Sequence, residues 1–250
     1  MSGHSKWSTI KRKKGALDAK RSKIFTKIIK EISVAVRESG PDPDGNPRLR
    51  LAIQSAKAAN MPKENMERAI KKGSGADDAH YTEITYEGYA NHGVAVYVEC
   101  LTDNLNRTVA SVRSAFSKNG GALGTNGSLD FLFDRKGVFV VKQTQPPLDE
   151  EEFTFEMIDA GAEEVIFEEE YITIYCAMED FGALQKMVES LHLEVETAEL
   201  QRLPKTTVAL DDEAAKKVLK LIDVLEDDDD VQKVYHNLEL NQEQMANLEM

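Results

Sequence analysis

Residues 16–38 read ALDAKRSKIFTKIIKEISVAVRE, and the spacing of their apolar residues predicts one amphipathic helix. The apolar stripe consists of Phe25, Ile28, Ile29, Ile32 and Val36. At about 100° per residue, a row of lysines falls on the opposite face. These are Lys20, Lys23, Lys27 and Lys30. The helix therefore has a core side and a basic side, as amphipathic surface helices do.

Two further helices are predicted before residue 73. The second begins near Asn46 and Pro47, because proline suits the first turn of a helix. The third begins at Pro62 and ends at Gly73, a residue type that commonly follows a helix end. Three short helices with apolar faces predict a small bundle.

The basic residues of the chain are concentrated in this bundle. The 250 residues include 31 lysines and arginines and 44 acidic residues, for a net charge of −13. Residues 1–73 have 18 basic and 7 acidic residues, a net of +11, which leaves −24 for the remainder. Exposed charges more than about 8–10 Å apart are largely screened at cellular salt, so the distant acid does not cancel the basic surface. Such an asymmetry indicates a nucleic-acid-binding segment on an otherwise acidic protein.

We therefore predict that nucleic acid is the partner and that basic and polar side chains bind it. The candidate residues are Lys6, Trp7, Lys11, Arg12, Lys13, Lys14, Lys20, Arg21, Lys23, Lys27, Lys30, Arg50, Lys57, Lys63, Arg68, Lys71, Lys72, Asn104, Asn106 and Arg107. Two alternatives stay open. The lysine face also fits an ordinary solvated helix surface, and Trp7 suits packing in a core as well as stacking on a base.

From Tyr81 onward the apolar residues alternate, which predicts strands. A helix capped by Asp103 and a strand over 129–133 follow. Residues 138–199 then show the order β-α-β-β-α-β of a ferredoxin-like unit. The last elements, over 206–238, are too few to fold alone, so we expect them to complete the unit that begins at Tyr81. The predicted fold class is α+β with three domains: a helical bundle at 1–79, a discontinuous α+β domain at 80–134 plus 205–240, and a ferredoxin-like domain inserted at 135–204.

Motifs for catalysis or metal binding are not evident in the sequence. The five histidines have no metal-ligand spacing with one another or with the cysteines. The glycine-rich stretch Gly120–Ser128 lacks the lysine and the strand-loop-helix order of a phosphate loop, and a turn with positive φ is the alternative that we favour. Asp227–Asp230 lacks the EF-hand spacing, which leaves an acidic solvated turn. We predict a protein that is not an enzyme, with no cofactor, no metal and no small-molecule substrate.

The chain shows no sequence feature of membrane insertion or secretion. No run of about 18 apolar residues is present, as a spanning helix would need. Met1–Lys14 lacks the apolar centre of a signal peptide. Cys100 and Cys176 lie in apolar alternating segments and are predicted to be buried free thiols, as in a reducing compartment. We expect a cytoplasmic protein with no membrane partner.

Several multi-residue motifs of the chain resemble the YebC/PmpR family. They are Gly3-His4-Ser5-Lys6-Trp7, Asn60-Met61-Pro62-Lys63, Arg68-Ala69-Ile70-Lys71-Lys72-Gly73, Leu101-Thr102-Asp103-Asn104 and Gly120-Gly121 with Leu123-Gly124. In one place, Ala90-Asn91-His92-Gly93, the chain departs from the glycine-proline-glycine turn that is usual in the family. The resemblance covers nearly the whole chain and implies a three-domain cytoplasmic protein without known catalysis.

The resemblance also implies a function in gene expression, and it leaves open whether the bound nucleic acid is DNA or RNA. The family is described as DNA-binding transcriptional regulators, and relatives in bacteria and mitochondria are linked to translation on the ribosome. The leading hypothesis is a transcriptional regulator that binds duplex DNA through the basic bundle. The alternative is a translation factor that binds ribosomal RNA or transfer RNA, and a third hypothesis is a protein-interaction scaffold. No standard helix-turn-helix reader is evident, so phosphate contacts are expected to dominate.

Overall fold

The structure, a computed structural model, describes residues 17–75, 80–144, 147–241 and 243–245, with side chains from Ser22 onward. The helices are α1 (Leu17–Ser39), α2 (Pro47–Ala58), α3 (Lys63–Gly73), α4 (Leu105–Lys118), α5 (Glu150–Asp159), α6 (Phe181–Ser190) and α7 (Asp212–Glu226). The strands are β1 (Thr82–Tyr89), β2 (Ala95–Thr102), β3 (Ala122–Leu123), β4 (Phe133–Lys142), β5 (Ala162–Phe167), β6 (Tyr171–Ala177), β7 (Val195–Pro204), β8 (Val208–Ala209), β9 (Val231–His236) and β10 (Leu238–Glu239).

The first three helices form the predicted bundle. Ile32 and Val36 of α1 pack with Leu49 and Ala52 of α2 and with Ala69 of α3 in one buried cluster. This confirms the apolar stripe as the core side of α1. The close approach of α3 to α1 favours a glycine at the end of α3, because a Cβ on residue 73 would lie a tight 3.1 Å from the Cα of Ser33.

Asn46 holds the bundle together where α1 ends and α2 begins. Its Oδ1 accepts the Leu49 N–H at 3.0 Å and so caps α2, which begins where the sequence predicted. Its Nδ2 donates to the carbonyl oxygens of Ala35 at 2.6 Å and Gly40 at 2.8 Å. The side chain is buried, and these bonds satisfy both of its polar ends.

The second unit is an antiparallel sheet in the order β3-β1-β2-β9, with α4 and α7 contributing to its core. The cluster includes Val98 on β2, Phe116 on α4 and Leu221 on α7. Strand β9 pairs with β2, with Tyr235 opposite Tyr97. The last elements of the chain therefore complete the sheet that begins at Thr82, as predicted.

The third unit is ferredoxin-like. Its strands lie in the order β5-β6-β4-β7, and all neighbours are antiparallel. Phe153 and Met157 of α5 and Leu184 of α6 pack against Phe139 and Ile174 of the sheet. The α+β class and the insertion of this unit between β3 and β8 are confirmed. The domain limits 79/80, 134/135 and 204/205 stay predictions, and 134/135 falls inside β4.

The boundaries of several elements differ from those predicted. The strand over 129–133 is wrong: Asp130–Leu132 is a 3-10 turn, and β4 begins only at Phe133. The strand over 231–238 is interrupted at Asn237, whose Oδ1 accepts the Ala95 N–H at 2.8 Å. At the departure from the family turn, Asn91–Gly93 forms a 3-10 turn in which His92 has φ 61°.

None of the helices in the part of the chain that the structure describes is long and apolar enough to cross a membrane.

Candidate nucleic-acid interface

Three members of the lysine face of α1, Lys23, Lys27 and Lys30, lie against the end of α7 and the turn that follows it. Lys30 is only 8% exposed. Its Nζ lies 2.8 Å from Oδ1 of Asp230 and donates to the Asp229 carbonyl oxygen at 2.7 Å. The prediction of an exposed surface is therefore wrong for Lys30, because a long basic side chain can be buried where a carboxylate and carbonyl oxygens pair with it.

Lys23 and Lys27 contact the C-terminal end of α7. Lys23 donates to the Asp227 carbonyl oxygen at 3.0 Å, and its Nζ lies 3.4 Å from the Asp227 carboxylate. Lys27 donates to the carbonyl oxygen of Glu226 at 2.6 Å. The carbonyl groups at a helix C-terminus lack partners within the helix and carry a partial negative charge. Lys23 and Lys27 thus bind the C-terminal end of α7, and Lys30 binds the turn that follows it.

Asp230 is the centre of this contact. Its carboxylate also accepts hydrogen bonds from Arg107 at 2.7 Å and from Thr108 at 2.9 Å. Burial alone would raise the pKa of this carboxyl group, but hydrogen bonds from Lys30, Arg107 and Thr108 outweigh burial and lower the pKa to about 2. The prediction that 227–230 is simply a solvated turn is therefore wrong for Asp230, which is 4% exposed.

The candidates in α4 have local structural roles. Oδ1 of Asn104 accepts the Arg107 N–H at 3.1 Å, so Asn104, and not the predicted Asp103, caps α4. Asp103 instead pairs with the Arg107 guanidinium at 2.7 Å. Hydrogen bonds to Asp230 and Asp103 raise the pKa of Arg107. Asn106 is exposed next to this network.

The outer sides of α2 and α3 expose the remaining candidates of the bundle. The exposed side chains are those of Lys57, Lys63, Arg68, Lys71 and Lys72, which we call the α2–α3 basic surface. Lys63 lies 3.5 Å from the Glu67 carboxylate, an exposed pair one helical turn apart. Arg50 is half-buried and donates to the Pro43 carbonyl oxygen at 3.0 Å, so its guanidinium is engaged within the bundle.

The other candidates lie outside what the structure describes. Residues 1–16, which include Lys6, Trp7, Lys11, Arg12, Lys13 and Lys14, are not among the described residues. Lys20 and Arg21 belong to α1, but their side chains are not described. Their assignment to the interface stays a prediction.

The sequence did not reveal that Arg48 links the bundle to the second unit. Its guanidinium donates to Glu31 at 2.7 Å and to Glu38 at 2.9 Å, and it also contacts Glu83 of β1. Burial would lower the pKa of Arg48, but the hydrogen bond and charge of Glu31, followed by those of Glu83, raise it. No sequence pattern singles out Arg48 among the arginines of the bundle.

The glycine-rich loop is occupied by a carboxylate of the protein itself. The buried side chain of Glu87 accepts the N–H groups of Gly127 at 2.7 Å and Leu129 at 2.6 Å. Gly120 and Gly127 have φ values of 77° and 83°, which confirms the predicted turn with positive φ. These amides bind Glu87 in the way that a phosphate loop binds an anion, so they are not available to a phosphate group.

The described histidines, cysteines and carboxylates, over 17–75, 80–144, 147–241 and 243–245, form no group of three or more that could hold a metal ion. Cys100 and Cys176 are buried and free, as predicted. Burial raises the pKa of Cys100 to about 12 and that of Cys176 to about 11. These thiols are therefore protonated at neutral pH and poor nucleophiles.

Two family models together match nearly the whole chain. The TACO1/YebC protein N-terminal domain matches residues 5–76, and the TACO1/YebC second and third domain matches residues 81–238. The chain belongs to the TACO1/YebC family. This confirms the resemblance inferred from the sequence motifs.

Relatives within the TACO1/YebC family are similar over almost their full length. A protein of Amoebophilus asiaticus is 58% identical over 97% of this chain and 100% of its own length. A protein of Bacillus subtilis is 51% identical over 95% of this chain and 99% of its own length. Both are named probable transcriptional regulatory protein. The crystal structure of a conserved hypothetical protein from Aquifex aeolicus has a TM-score of 0.79 and 46% identity, covering 90% of this chain and 93% of that one.

Proposed function

We propose that this chain regulates transcription by binding duplex DNA through the α2–α3 basic surface and the basic residues that precede α1. The observation that carries the proposal is the exposure of Lys57, Lys63, Arg68, Lys71 and Lys72 on two successive helices of the bundle, which share one buried cluster with α1. Lysine and arginine side chains in that position neutralise phosphates and release counterions. The names of the family relatives agree with a regulatory role that does not involve catalysis.

The contact between α1 and the end of α7 limits which lysines are available to bind DNA. Lys30 is buried against Asp230 and does not reach a nucleic acid while this contact is intact. Lys23 and Lys27 are half-buried and already bind the end of α7. We therefore assign Lys23 and Lys27 a minor contribution to DNA binding, and we propose that the main phosphate contacts are made by α2, α3 and the segment before α1.

The test is the binding of a fluorescent duplex of roughly 30 base pairs, measured by anisotropy over a series of salt concentrations. If about six phosphates are neutralised, log K against log salt has a slope of roughly −5. Lys71→Glu with Lys72→Glu should weaken binding at least about 10-fold and make the slope shallower by about 2. Lys216→Glu with Lys220→Glu, on the exposed side of α7, is the matched control with the same change of charge.

A salt slope near zero, or equal binding by the α3 and α7 variants, would refute the α2–α3 basic surface as the DNA-binding surface. Ribosomal RNA or transfer RNA is the alternative partner, because phosphate contacts do not distinguish RNA from DNA. Crosslinking in cells followed by sequencing of the bound nucleic acid separates them. Recovery of promoter DNA without ribosomal RNA supports the proposal, whereas ribosomal RNA without promoter DNA replaces it with a role in translation on the ribosome. For either role we propose a location in the cytoplasm.

A further inference from the structure

Helix α5 of the ferredoxin-like unit exposes two large apolar side chains. Phe153 and Met157 point into the core and are buried. Phe155 is 67% exposed and Ile158 is 50% exposed, three residues apart on the outer side of the helix. An exposed aromatic residue beside an exposed aliphatic one, rimmed by polar residues, is typical of a protein interaction site.

The chain segment that carries these two side chains is acidic, although Glu163, on the strand that follows, pairs with Lys136 at 2.5 Å. Residues 147–170 contain 11 aspartates and glutamates and no lysine, arginine or histidine. On α5 the exposed acids are Glu150, Glu151, Glu152, Glu156 and Asp159. A surface of this charge repels nucleic acid and attracts a basic partner, so it cannot serve the same ligand as the α2–α3 basic surface.

Helix stability explains only part of this charge. Asp149 caps α5, and Glu150–Glu152 complement the positive end of the helix dipole in its first turn. Glu156 and Asp159 lie in the last turn, where α5 has no basic residue and where negative charge destabilises a helix. Neither the dipole nor the core of the unit requires an exposed phenylalanine at 155. The arrangement is accounted for by a partner that covers Phe155 and Ile158 and neutralises the acids around them.

We propose that the outer face of α5, formed by Phe155 and Ile158 with Glu151, Glu152, Glu156 and Asp159, binds a lysine- and arginine-rich amphipathic helix of another protein. The partner helix places apolar residues on Phe155 and Ile158 and basic residues over the surrounding carboxylates. The neighbouring edge strand β5 carries Glu163 and Glu164, which disfavour pairing with a further strand. Docking of a helix on α5 is therefore favoured over extension of the sheet.

The probe is a fluorescent peptide of leucine, lysine and alanine, about 18 residues long, with leucines on one face of the helix and lysines beside them. A peptide of the same composition in scrambled order is its control. We expect the full chain to bind the amphipathic peptide more tightly than the scrambled one. Phe155→Ser with Ile158→Ser should raise the Kd at least about 10-fold, because exposed aromatic anchors carry much of the affinity of an interface. Phe131→Ser, which truncates a phenylalanine that is 66% exposed elsewhere, is the matched control.

The charge contribution is tested with Glu152→Gln and Glu156→Gln, which should weaken binding and reduce its salt dependence. The proposal is overturned if the two peptides bind equally, if the amphipathic peptide does not bind, or if the Phe155 and Phe131 variants behave alike. It is also overturned if sedimentation shows self-association of the chain that Phe155→Ser with Ile158→Ser abolishes, since the occupant is then a second copy. All these variants should retain the DNA affinity of the unmodified chain, so this proposal and the one on DNA binding can fail separately.

Discussion

Replacement of Asp230 by asparagine tests the contact between the bundle and the end of α7. The carboxylate of Asp230 lies 2.8 Å from the Lys30 ammonium and 2.7 Å from the Arg107 guanidinium, and both Asp230 and Lys30 are buried. The substitution Asp230→Asn would keep the shape of the side chain and remove its charge. Lys30 would then remain buried without an anionic partner, which is the costly way to break a buried ion pair.

The lowered pKa of Asp230 sets the magnitude of this effect. A fall from 3.8 to about 2 corresponds to about 2 kcal/mol in favour of the folded state when the group is ionised. Because the pKa is lower in the folded protein, this stability is fully present well above pH 3.8 and is lost as the pH falls toward 2. About half of it, roughly 1 kcal/mol, should already be lost by about pH 3.

Urea denaturation followed by circular dichroism measures this difference in the free energy of unfolding. At about pH 7, Asp230→Asn should be less stable than the unmodified chain by about 2 kcal/mol. Asp229→Asn is the matched control, since this side chain is exposed in the same turn, and it should change stability by less than about 0.5 kcal/mol. The assigned ion pair would be refuted if the two variants had equal stability, or if the difference between Asp230→Asn and the unmodified chain stayed constant down to about pH 3.

Two further predictions concern buried groups. Glu87→Gln should cost about 1–3 kcal/mol, because Gly127 and Leu129 donate to different oxygens of the carboxylate and glutamine replaces one of these oxygens with an NH2 group that cannot accept. Faster hydrogen exchange at these two amides would show the effect, and unchanged exchange would contradict it. Cys100 and Cys176 should not react with a thiol reagent in the folded protein near pH 8, because burial raises the pKa of both thiols. Both should react fully once the protein is unfolded. Rapid labelling of the folded chain would contradict their burial.

Features set by local periodicity could be predicted from the sequence. The apolar stripe of α1 is read from residues three and four apart, and Ile32 and Val36 are buried as that spacing requires. The order β-α-β-β-α-β follows from alternating and helical patterns over 138–199. The predicted strand at 129–133 failed because its alternation of large apolar residues resembles a strand, whereas the bond between Glu87 and the Leu129 N–H imposes a turn.

Local periodicity could not predict the partners of the basic residues in the candidate interface. Lys23, Lys27 and Lys30 were placed correctly on one face of α1, but their partner is 199 to 204 residues away in the chain. Nothing in the run of four aspartates distinguishes Asp230 from its neighbours, because they differ only in how α7 and β9 position them. The sequence likewise identifies an acidic segment over 147–170, but the exposure of Phe155 beside the burial of Phe153 depends on how α5 packs on its sheet.

The sequence by itself determined the amphipathic α1, the ferredoxin-like order, the basic bundle and the family, because these depend on residue type and short-range spacing. Only the tertiary structure decided that Lys23, Lys27 and Lys30 are bound by the end of α7 and the turn after it, and that the α2–α3 basic surface is left exposed. The physical reason is that a lysine is equally compatible with water, a phosphate or a buried carboxylate. Which of these it contacts depends on the chain segment that folding brings within about 3 Å of its ammonium group.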